Sequence, residues 1–250
     1  MFRNGCWAAG SPFSRPRLAR VLIGAVLLGV LFPQGLREAV AFPQEEVTTL
    51  VTRAIDGGRA GGGGSDPVVT PDGRYVVFWS WANNLVPGDT NHQRDVFIAD
   101  LVTQTKELVS VTSSGLQASA GCFDPVVSAD GRFVAFVTTA RLVDDDTNGV
   151  SDVYVRDRQT GTTIRASVAS GPHGEEANAF CGNPSISADG RFVAFDSSAS
   201  NLVLDDTNST QDVFVRDLLT HTTTRVSLGA SGQQTDLGGG SRNPSMGVVG

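Results

Sequence analysis

A repeat of about sixty residues constrains this chain more than any other feature of its sequence. Asp-Gly-Arg, Asp-Thr-Asn and a six-residue segment of the type Asp-Val-Phe-Val-Arg-Asp each occur three times. They lie at 72–74, 130–132 and 189–191, at 89–91, 146–148 and 206–208, and at 95–100, 152–157 and 212–217. Because three markers recur with nearly the same spacing, the sequence predicts tandem copies of one structural unit.

Each copy contains the signals of four short β-strands. In the third copy these cover 184–188, 191–197, 212–217 and 222–228, and Asp189-Gly190 supplies a tight turn between the first two. Val, Phe, Tyr, Ile and Thr favour strands, and glycine accepts the positive φ that such turns need. No segment after residue 41 has a sustained helical period. The sequence therefore predicts an all-β fold.

The second strand of each copy is apolar on both faces. In the third copy Phe-Val-Ala-Phe at 192–195 has no polar interruption, whereas a sheet wetted on one side would alternate. Covering both faces is what radially packed four-stranded blades of a β-propeller do. The predicted organisation is a signal peptide at 1–41, a leader strand and glycine-rich connector at 42–65, and blades at 66–123, 124–182 and 183–228. A second glycine-rich connector and the start of a truncated fourth blade follow at 229–250.

Partial strands are predicted at both ends of the array. Residues 47–54 resemble a fourth strand without the preceding three, and 243–246 copy the first strand at 183–186. Three blades cannot close a ring, since propellers have about four or more. Each open face, with several large apolar side chains, would forfeit on the order of 10 kcal/mol. We therefore expect a fragment or truncated gene product, or a chain that completes its ring with another chain through these faces.

The motif series resembles the WD-like repeats of bacterial TolB-type β-propellers. The third copy carries it as PSISADGRFVAF, NLVLDDTN and DVFVRDLLTHTT. The resemblance covers about residues 47–246 and implies an exported bacterial propeller with a role in protein–protein or envelope interactions. Members of that group have about six or more blades, so the resemblance does not extend to a binding site in a central channel.

The N-terminus has the pattern of an export signal. Four arginines precede an uncharged apolar run at 21–32, and Ala-Val-Ala at 39–41 fits a cleavage site after Ala41. The apolar run is short for a membrane span, although an uncleaved anchor is the alternative. Cleavage would leave 14 Lys and Arg against 25 Asp and Glu. The sequence predicts a secreted or periplasmic protein without a stable transmembrane segment, and its negative charge excludes nucleic acid as a partner.

Two cysteines occupy equivalent places in successive repeats. Cys122 and Cys181 both lie eight residues before an Asp-Gly turn. An exported protein permits a disulfide between them, but packed sheets lie about 10 Å apart, which is wider than a bridge usually allows. The alternatives are a bridge and two small buried thiols.

The loop before the third strand of the second copy is the best candidate for a metal site. Asp144, Asp146, Asn148 and Asp152 fall at positions 1, 3, 5 and 9, with Gly149 at position 6. That is the opening of a Ca²⁺ loop, in which alternate oxygen ligands point inward. The other copies keep positions 3, 5 and 9 but lack the first ligand and the glycine; they contain Asp89, Asn91 and Asp95, and Asp206, Asn208 and Asp212.

A structural interpretation of these loops competes with calcium binding. Asp and Asn side chains also bond their own backbone and so shape Asx turns. The repeated Arg74, Arg132 and Arg191 likewise have two interpretations, a stripe of cations or ion pairs with Asp100, Asp157 and Asp217. The pairing is favoured, and the same aspartates are expected to cap the turn that follows them.

No catalytic motif is recognisable in the sequence. The histidines at 92, 173 and 221 lack a neighbouring nucleophile in a known frame, and no nucleophile elbow or His-Glu-x-x-His occurs. The sequence thus predicts a non-catalytic module that binds a protein or envelope component, with no certain cofactor and Ca²⁺ as a possible ligand. The alternative is the propeller portion of a secreted hydrolase or peptidase, with its catalytic part elsewhere.

Overall fold

A computed structural model describes residues 48–234 and 240–247, so the predicted signal peptide lies outside the described residues. The described part contains twelve strands and no helix, and hence no helix that would cross a membrane. The strands are β1 (Gly64–Val69), β2 (Tyr75–Ser80), β3 (Asp95–Asp100), β4 (Thr105–Leu108), β5 (Cys122–Val127), β6 (Phe133–Thr138), β7 (Asp152–Asp157), β8 (Thr162–Arg165), β9 (Cys181–Ile186), β10 (Phe192–Ser197), β11 (Asp212–Asp217) and β12 (Thr222–Arg225).

The strands form three separate antiparallel sheets of four consecutive strands each: blade 1 (β1–β4), blade 2 (β5–β8) and blade 3 (β9–β12). We name the strands A to D in chain order within each blade. The A strands of neighbouring blades contact one another, and contacts between blades concentrate on strands A and B. This confirms the predicted all-β fold, with three propeller-type blades in an arrangement that does not close.

The third strand of each blade has the predicted bounds, but the other strands differ at their ends. Strand A begins at Gly64, Cys122 and Cys181, each two residues before the start predicted for its blade. In blade 3, strand D ends at Arg225, three residues before the predicted end at 228.

Both cysteines are free and fully buried, and burial raises the pKa of each thiol to about 12. The interpretation as two small buried thiols is therefore the one that the structure supports.

The Asp-Gly-Arg turns work as structural joints, as expected. The arginines 74, 132 and 191 pair with the aspartates 100, 157 and 217 at 2.8, 2.7 and 2.6 Å. Each of these aspartates also accepts two backbone N–H groups of the turn that follows, for example from Gln159 and Thr160 to Asp157. The arginine pair holds the pKa of Asp157 down at about 2. Both predictions for these residues are confirmed.

Blades 2 and 3 each pack an aromatic pair against the sheet before it. Phe136 and Tyr154 of blade 2 lie with ring centroids 6.2 Å apart in the core shared with blade 1, and Phe195 and Phe214 repeat this between blades 2 and 3. The turn glycines tighten the contact. A Cβ on Gly190, where φ is +73°, would lie 2.1 Å from the ring of Phe133, so only glycine fits.

An arginine clamp ties blades 2 and 3 to the connector of the preceding blade. Arg156 donates hydrogen bonds to the carbonyls of Gly161 and Thr112, and Arg216 does the same to His221 and Ala169. The registers place Ala99 at the corresponding position of blade 1. Blade 1 therefore has no such clamp on the segment before it.

The segments that cover the two ends of the array differ from the partial strands that the sequence predicts. Residues 48–54 form no strand, only an isolated bridge between Arg53 and Arg59, so the predicted leader strand is wrong within the described residues. Val51 and Ala60 nevertheless pack against the buried cluster that contains the outer aromatic pair of blade 1, Phe78 and Phe97. The outer face of blade 1 is thus part of a core rather than fully open.

A short segment also lies on the far side of blade 3. Residues 240–247 form no strand, yet the backbone N–H of Asn243 donates to Asp196 at 3.1 Å and that of Met246 donates to Ser185 at 2.9 Å. Asn243 has φ +53°, close to the +48° of Asn183, which precedes the equivalent proline. Asp196 is buried where blade 2 has Val137. This face is therefore held by polar contacts that the repeat did not predict.

Candidate functional site

The antiparallel topology gathers the candidate residues at one end of the molecule. Strand A starts, strand B ends, strand C starts and strand D ends there, together with the long loops between B and C. We call these loops, at 81–94, 139–151 and 198–211, the loop rim. The Asp-Gly-Arg turns lie at the opposite end. All ten residues predicted for metal binding therefore lie on the loop rim or at the first residue of strand C.

The asparagine of each Asp-Thr-Asn shapes a turn. The side-chain oxygens of Asn91, Asn148 and Asn208 each accept the backbone N–H two residues later, at 2.9, 2.9 and 3.1 Å. This is the Asx turn that the structural interpretation predicts. The asparagines of all three blades thus have a structural role.

The first aspartate of strand C is buried in every blade. Asp95, Asp152 and Asp212 are fully buried, and each accepts a hydrogen bond from a serine that follows strand D, at 2.6, 2.5 and 2.5 Å. In blade 2 burial raises the pKa of Asp152 to about 6, although Ser167, Asn148 and Arg165 oppose the rise. Each blade therefore keeps one carboxylate in its interior, beside the Asp-Thr-Asn turn.

In blade 2 an arginine occupies the centre of the carboxylate cluster. Arg165, the last residue of strand D, has a side chain only 3% exposed. Its guanidinium lies 3.5 Å from Asp146, 3.9 Å from Asp152 and 2.8 Å from Glu176. The structure thus brings Asp146, Asn148 and Asp152 together, but around a cation that the chain itself supplies.

Further partners of this cluster were not found from the sequence. The hydroxyl of Tyr154 donates to Asp146, and Glu176 accepts from the backbone and hydroxyl of Thr147. Burial acts to raise the pKa of Glu176, but the bonds from Thr147 and Arg165 hold it at about 2. Asp144, the predicted first ligand, is exposed and does not join the cluster. Aligning the last residue of strand D across the copies would have revealed the arginine.

Blade 3 repeats this arrangement with fewer groups. Arg225 lies 3.0 Å from Asp206 and 3.8 Å from Asp212. Phe214 stands where blade 2 has Tyr154, so Asp206 has no hydroxyl partner of that kind. One guanidinium therefore faces two carboxylates.

Blade 1 has the same two carboxylates without either partner. The register puts Phe97 and Leu108 where blade 2 has Tyr154 and Arg165. Asp89 is 7% exposed and Asp95 fully buried, and Asp89 Oδ1 and Asp95 Oδ2 have no hydrogen-bond partner among the described residues. Burial and the neighbouring Asp95 raise the pKa of Asp89 to about 6, and burial also raises that of Asp95.

The neighbouring polar groups of blade 1 are engaged elsewhere. The amide of Asn91 lies near enough to oppose the rise in the pKa of Asp95, but it donates its hydrogen bond to the carbonyl of Ala118. Gln117, at the position of Glu176, accepts from Thr90 and donates to the carbonyl of Gly88. Within residues 48–234 and 240–247, no group of three or more His, Cys, Asp or Glu side chains is placed to hold a metal.

An aromatic cluster lies at the same end, between blades 1 and 2. The guanidinium of Arg94 lies 4.9 Å from the ring centroids of both Trp79 and Phe123 and 5.9 Å from that of Trp81. The indole N–H of Trp79 donates to Asp66 at 2.5 Å. Trp81 remains 52% exposed. We call Arg94 and the three rings of Trp79, Trp81 and Phe123 the aromatic cluster.

Comparison with known proteins gives structural likenesses only. No protein-family model matches the sequence, and a search of curated proteins found no match. Among solved structures, the β-propeller domain of the Trilobed protease from Pyrococcus furiosus is 14% identical, with a TM-score of 0.41 over 65% of this chain and 41% of that one. TolB from Acinetobacter baumannii is 18% identical, with a TM-score of 0.30 over 66% and 43%.

A further likeness is to a putative TolB from Agrobacterium tumefaciens, at 14% identity and a TM-score of 0.38 over 68% of this chain and 63% of that one. The chain spans less than half the length of the first two of these structures. The propeller-type fold is established by the three sheets themselves.

Proposed function

We propose that this chain is an exported, non-catalytic β-propeller repeat module that binds a protein or envelope component through its loop rim. The observation that carries the proposal is the half-exposed Trp81 above the stacked Arg94, Trp79 and Phe123. Tryptophan and arginine are the residue types that most often anchor protein interfaces.

The construction of the aromatic cluster supports a recognition role. Trp81 stands where the other blades have Thr139 and Ser198, so the repeat itself does not require a large ring there. The Arg94 guanidinium between two rings limits the freedom of the side chains below, which reduces the entropy lost on binding. Phe180, at the same end of blade 3, is 41% exposed and adds a second apolar contact.

The charge around the rim favours a partner with basic groups. The loops carry Asp144, Asp145 and Asp205 in exposed positions, and the chain as a whole has a formal net charge of −7. Complementary charge raises the rate of encounter and selects partners more than it adds affinity. We therefore propose a protein or envelope component with an aromatic or apolar anchor surrounded by basic groups.

A pull-down from envelope extract with the intact protein tests the proposal. Trp81→Ala is expected to reduce capture of the partner at least tenfold, since truncating an interface anchor costs about 2 kcal/mol or more. Val102→Ala is the matched control, because Val102 is 72% exposed in the turn between strands C and D at the opposite end. Equal capture by both variants would refute the loop rim as the binding surface. Capture of a hydrolase or peptidase as the partner would favour the alternative function, in which the catalytic part lies elsewhere.

A further inference from the structure

The three acidic sites differ in how many fixed partners the chain supplies. Asp146 of blade 2 has a hydroxyl and a guanidinium, and Asp206 of blade 3 has a guanidinium. Asp89 of blade 1, at the same position of the repeat, has neither, because Phe97 and Leu108 are apolar. Strands B, C and D pair in the same register in all three blades, and the sites differ in the compensation of charge.

Two buried carboxylates without a cation are unfavourable. A buried polar atom without a partner destabilises the folded state, and the destabilisation is larger when the atom is charged. Asp89 Oδ1 and Asp95 Oδ2 are both buried and without a hydrogen-bond partner among the described residues. Such a pair needs a cation, a proton or a rearrangement.

We propose that blade 1 binds one Ca²⁺ ion between the carboxylates of Asp89 and Asp95, at the place that an arginine of the same chain takes in blades 2 and 3. All the donors there are oxygens, which hard cations prefer. Calcium accepts irregular coordination completed by carbonyls and water, whereas Mg²⁺ demands a near-ideal octahedron. The metal site thus lies in the loop of blade 1 and not in the loop of blade 2, where Arg165 occupies the corresponding place.

The depth of the site selects an ion over a side chain of another protein. Asp95 is fully buried, so a guanidinium from outside would have to displace part of the loop. A bare divalent ion needs only the exposed edge of the loop, at Thr90 and His92, to reach the carboxylates. With only two carboxylates, we expect a dissociation constant on the order of 10⁻⁴ to 10⁻³ M, as in extracellular calcium modules.

Calorimetric titration of CaCl₂ into the chelator-treated full chain tests the proposal. We expect one site per chain and a melting temperature that rises with Ca²⁺. Leu108→Arg installs the cation of the other blades and is expected to weaken calcium binding at least tenfold while raising the melting temperature without metal. Val102→Arg adds the same charge at the opposite end and is expected to leave calcium binding unchanged.

A second pair of variants keeps the test decisive if Leu108→Arg does not fold. Asp89→Asn is expected to lose calcium binding and to melt higher than the wild type in chelator, since it removes one of two repelling charges. Asp146→Asn of blade 2 is expected to keep one calcium per chain. No heat and no melting shift at millimolar Ca²⁺ would overturn the proposal and indicate that a proton neutralises the pair. If only Asp146→Asn loses calcium binding, the calcium site lies in blade 2 and not in blade 1.

Discussion

Blades 1 and 2 have the same strand order and the same register, yet they compensate their buried carboxylates differently. In blade 2, three carboxylates surround Arg165, those of Asp146, Asp152 and Glu176. In blade 1, Leu108 takes the position of Arg165 at the end of strand D. The turns, the bulge of strand A and the aromatic pair are common to both. The residues that set the backbone are therefore separate from those that balance the charge.

This separation explains why the blade tolerates such different interiors. The Asx turn and the serine bond to the first aspartate of strand C satisfy the loop locally in both blades. The space beyond them receives a side chain from strand D, which can be apolar or cationic without changing a hydrogen bond of the sheet. Substitutions that exchange the two interiors should therefore alter stability and ion response but leave the fold intact.

Arg165→Leu, which gives blade 2 the interior of blade 1, should have the largest effect. Removing one partner of a buried ion pair costs about 3–5 kcal/mol. Denaturant unfolding followed by tryptophan fluorescence measures the loss, and Arg141→Leu on the exposed loop is the control, with an expected change below about 0.5 kcal/mol. If both substitutions cost the same, Arg165 does not balance the cluster.

Gly190→Ala tests a feature that all blades share and should rank second. The new Cβ would contact the Phe133 ring at 2.1 Å in a positive-φ conformation, for an expected cost of about 2–4 kcal/mol. Gly149→Ala has a similar φ, +67°, but nothing within 4 Å, so it should cost only about 1–2 kcal/mol. The difference between their unfolding free energies isolates the contact between blades, and equal values would contradict it.

Tyr154→Phe changes blade 2 towards blade 1 by a single oxygen atom. It removes the hydroxyl that donates to Asp146 and should cost about 1.5–3 kcal/mol, the range for a hydrogen bond to a charged group. Phe97→Tyr is the reciprocal change and should stabilise blade 1 by giving Asp89 a donor. Thermal unfolding of both variants checks the signs, and a destabilised Phe97→Tyr with an unaffected Tyr154→Phe would break the comparison.

The smallest effect concerns the Asp-Gly-Arg pairs, which do not differ between the blades. Arg132 lowers the pKa of Asp157 from 3.8 to about 2, so the pair stabilises the folded state above pH 4 and loses this effect as the pH falls through 2. Arg132→Gln should therefore lower the melting temperature slightly at pH 6, with a difference from wild type that shrinks as the pH falls through 2 and vanishes below it. Arg74→Gln in blade 1 should change the melting temperature in the same direction, because Arg74 also lowers the pKa of Asp100. A difference that stays undiminished from pH 6 to below pH 2 would attribute the effect to packing.

The fold was largely predictable because its signals are local and repeated. Asp-Gly turns, the six residues of strand C and the doubly apolar strand B are visible in a single copy, and three copies reinforce them. The covering of the ends was not predictable. It depends on Val51 and Asp196, which make contacts that the repeat does not contain.

The candidate site was only half predictable, for a physical reason. The spacing of Asp146, Asn148 and Asp152 describes one stretch of chain and does not report which side chain of strand D points between them. Arg165 and Leu108 have that role because of the register between strands C and D, which only the structure shows. The spacing identified the carboxylates but not their counterion.

The arginine clamps give the array a direction. Arg156 and Arg216 each hold carbonyls in the connector before their own blade, and Ala99 makes no such bond in blade 1. The clamp of a blade can therefore form only once the connector before that blade is in place, whereas the shared cores need both blades. This order suits a chain that emerges from the ribosome N-terminus first, because the connector is made before the arginine that binds it.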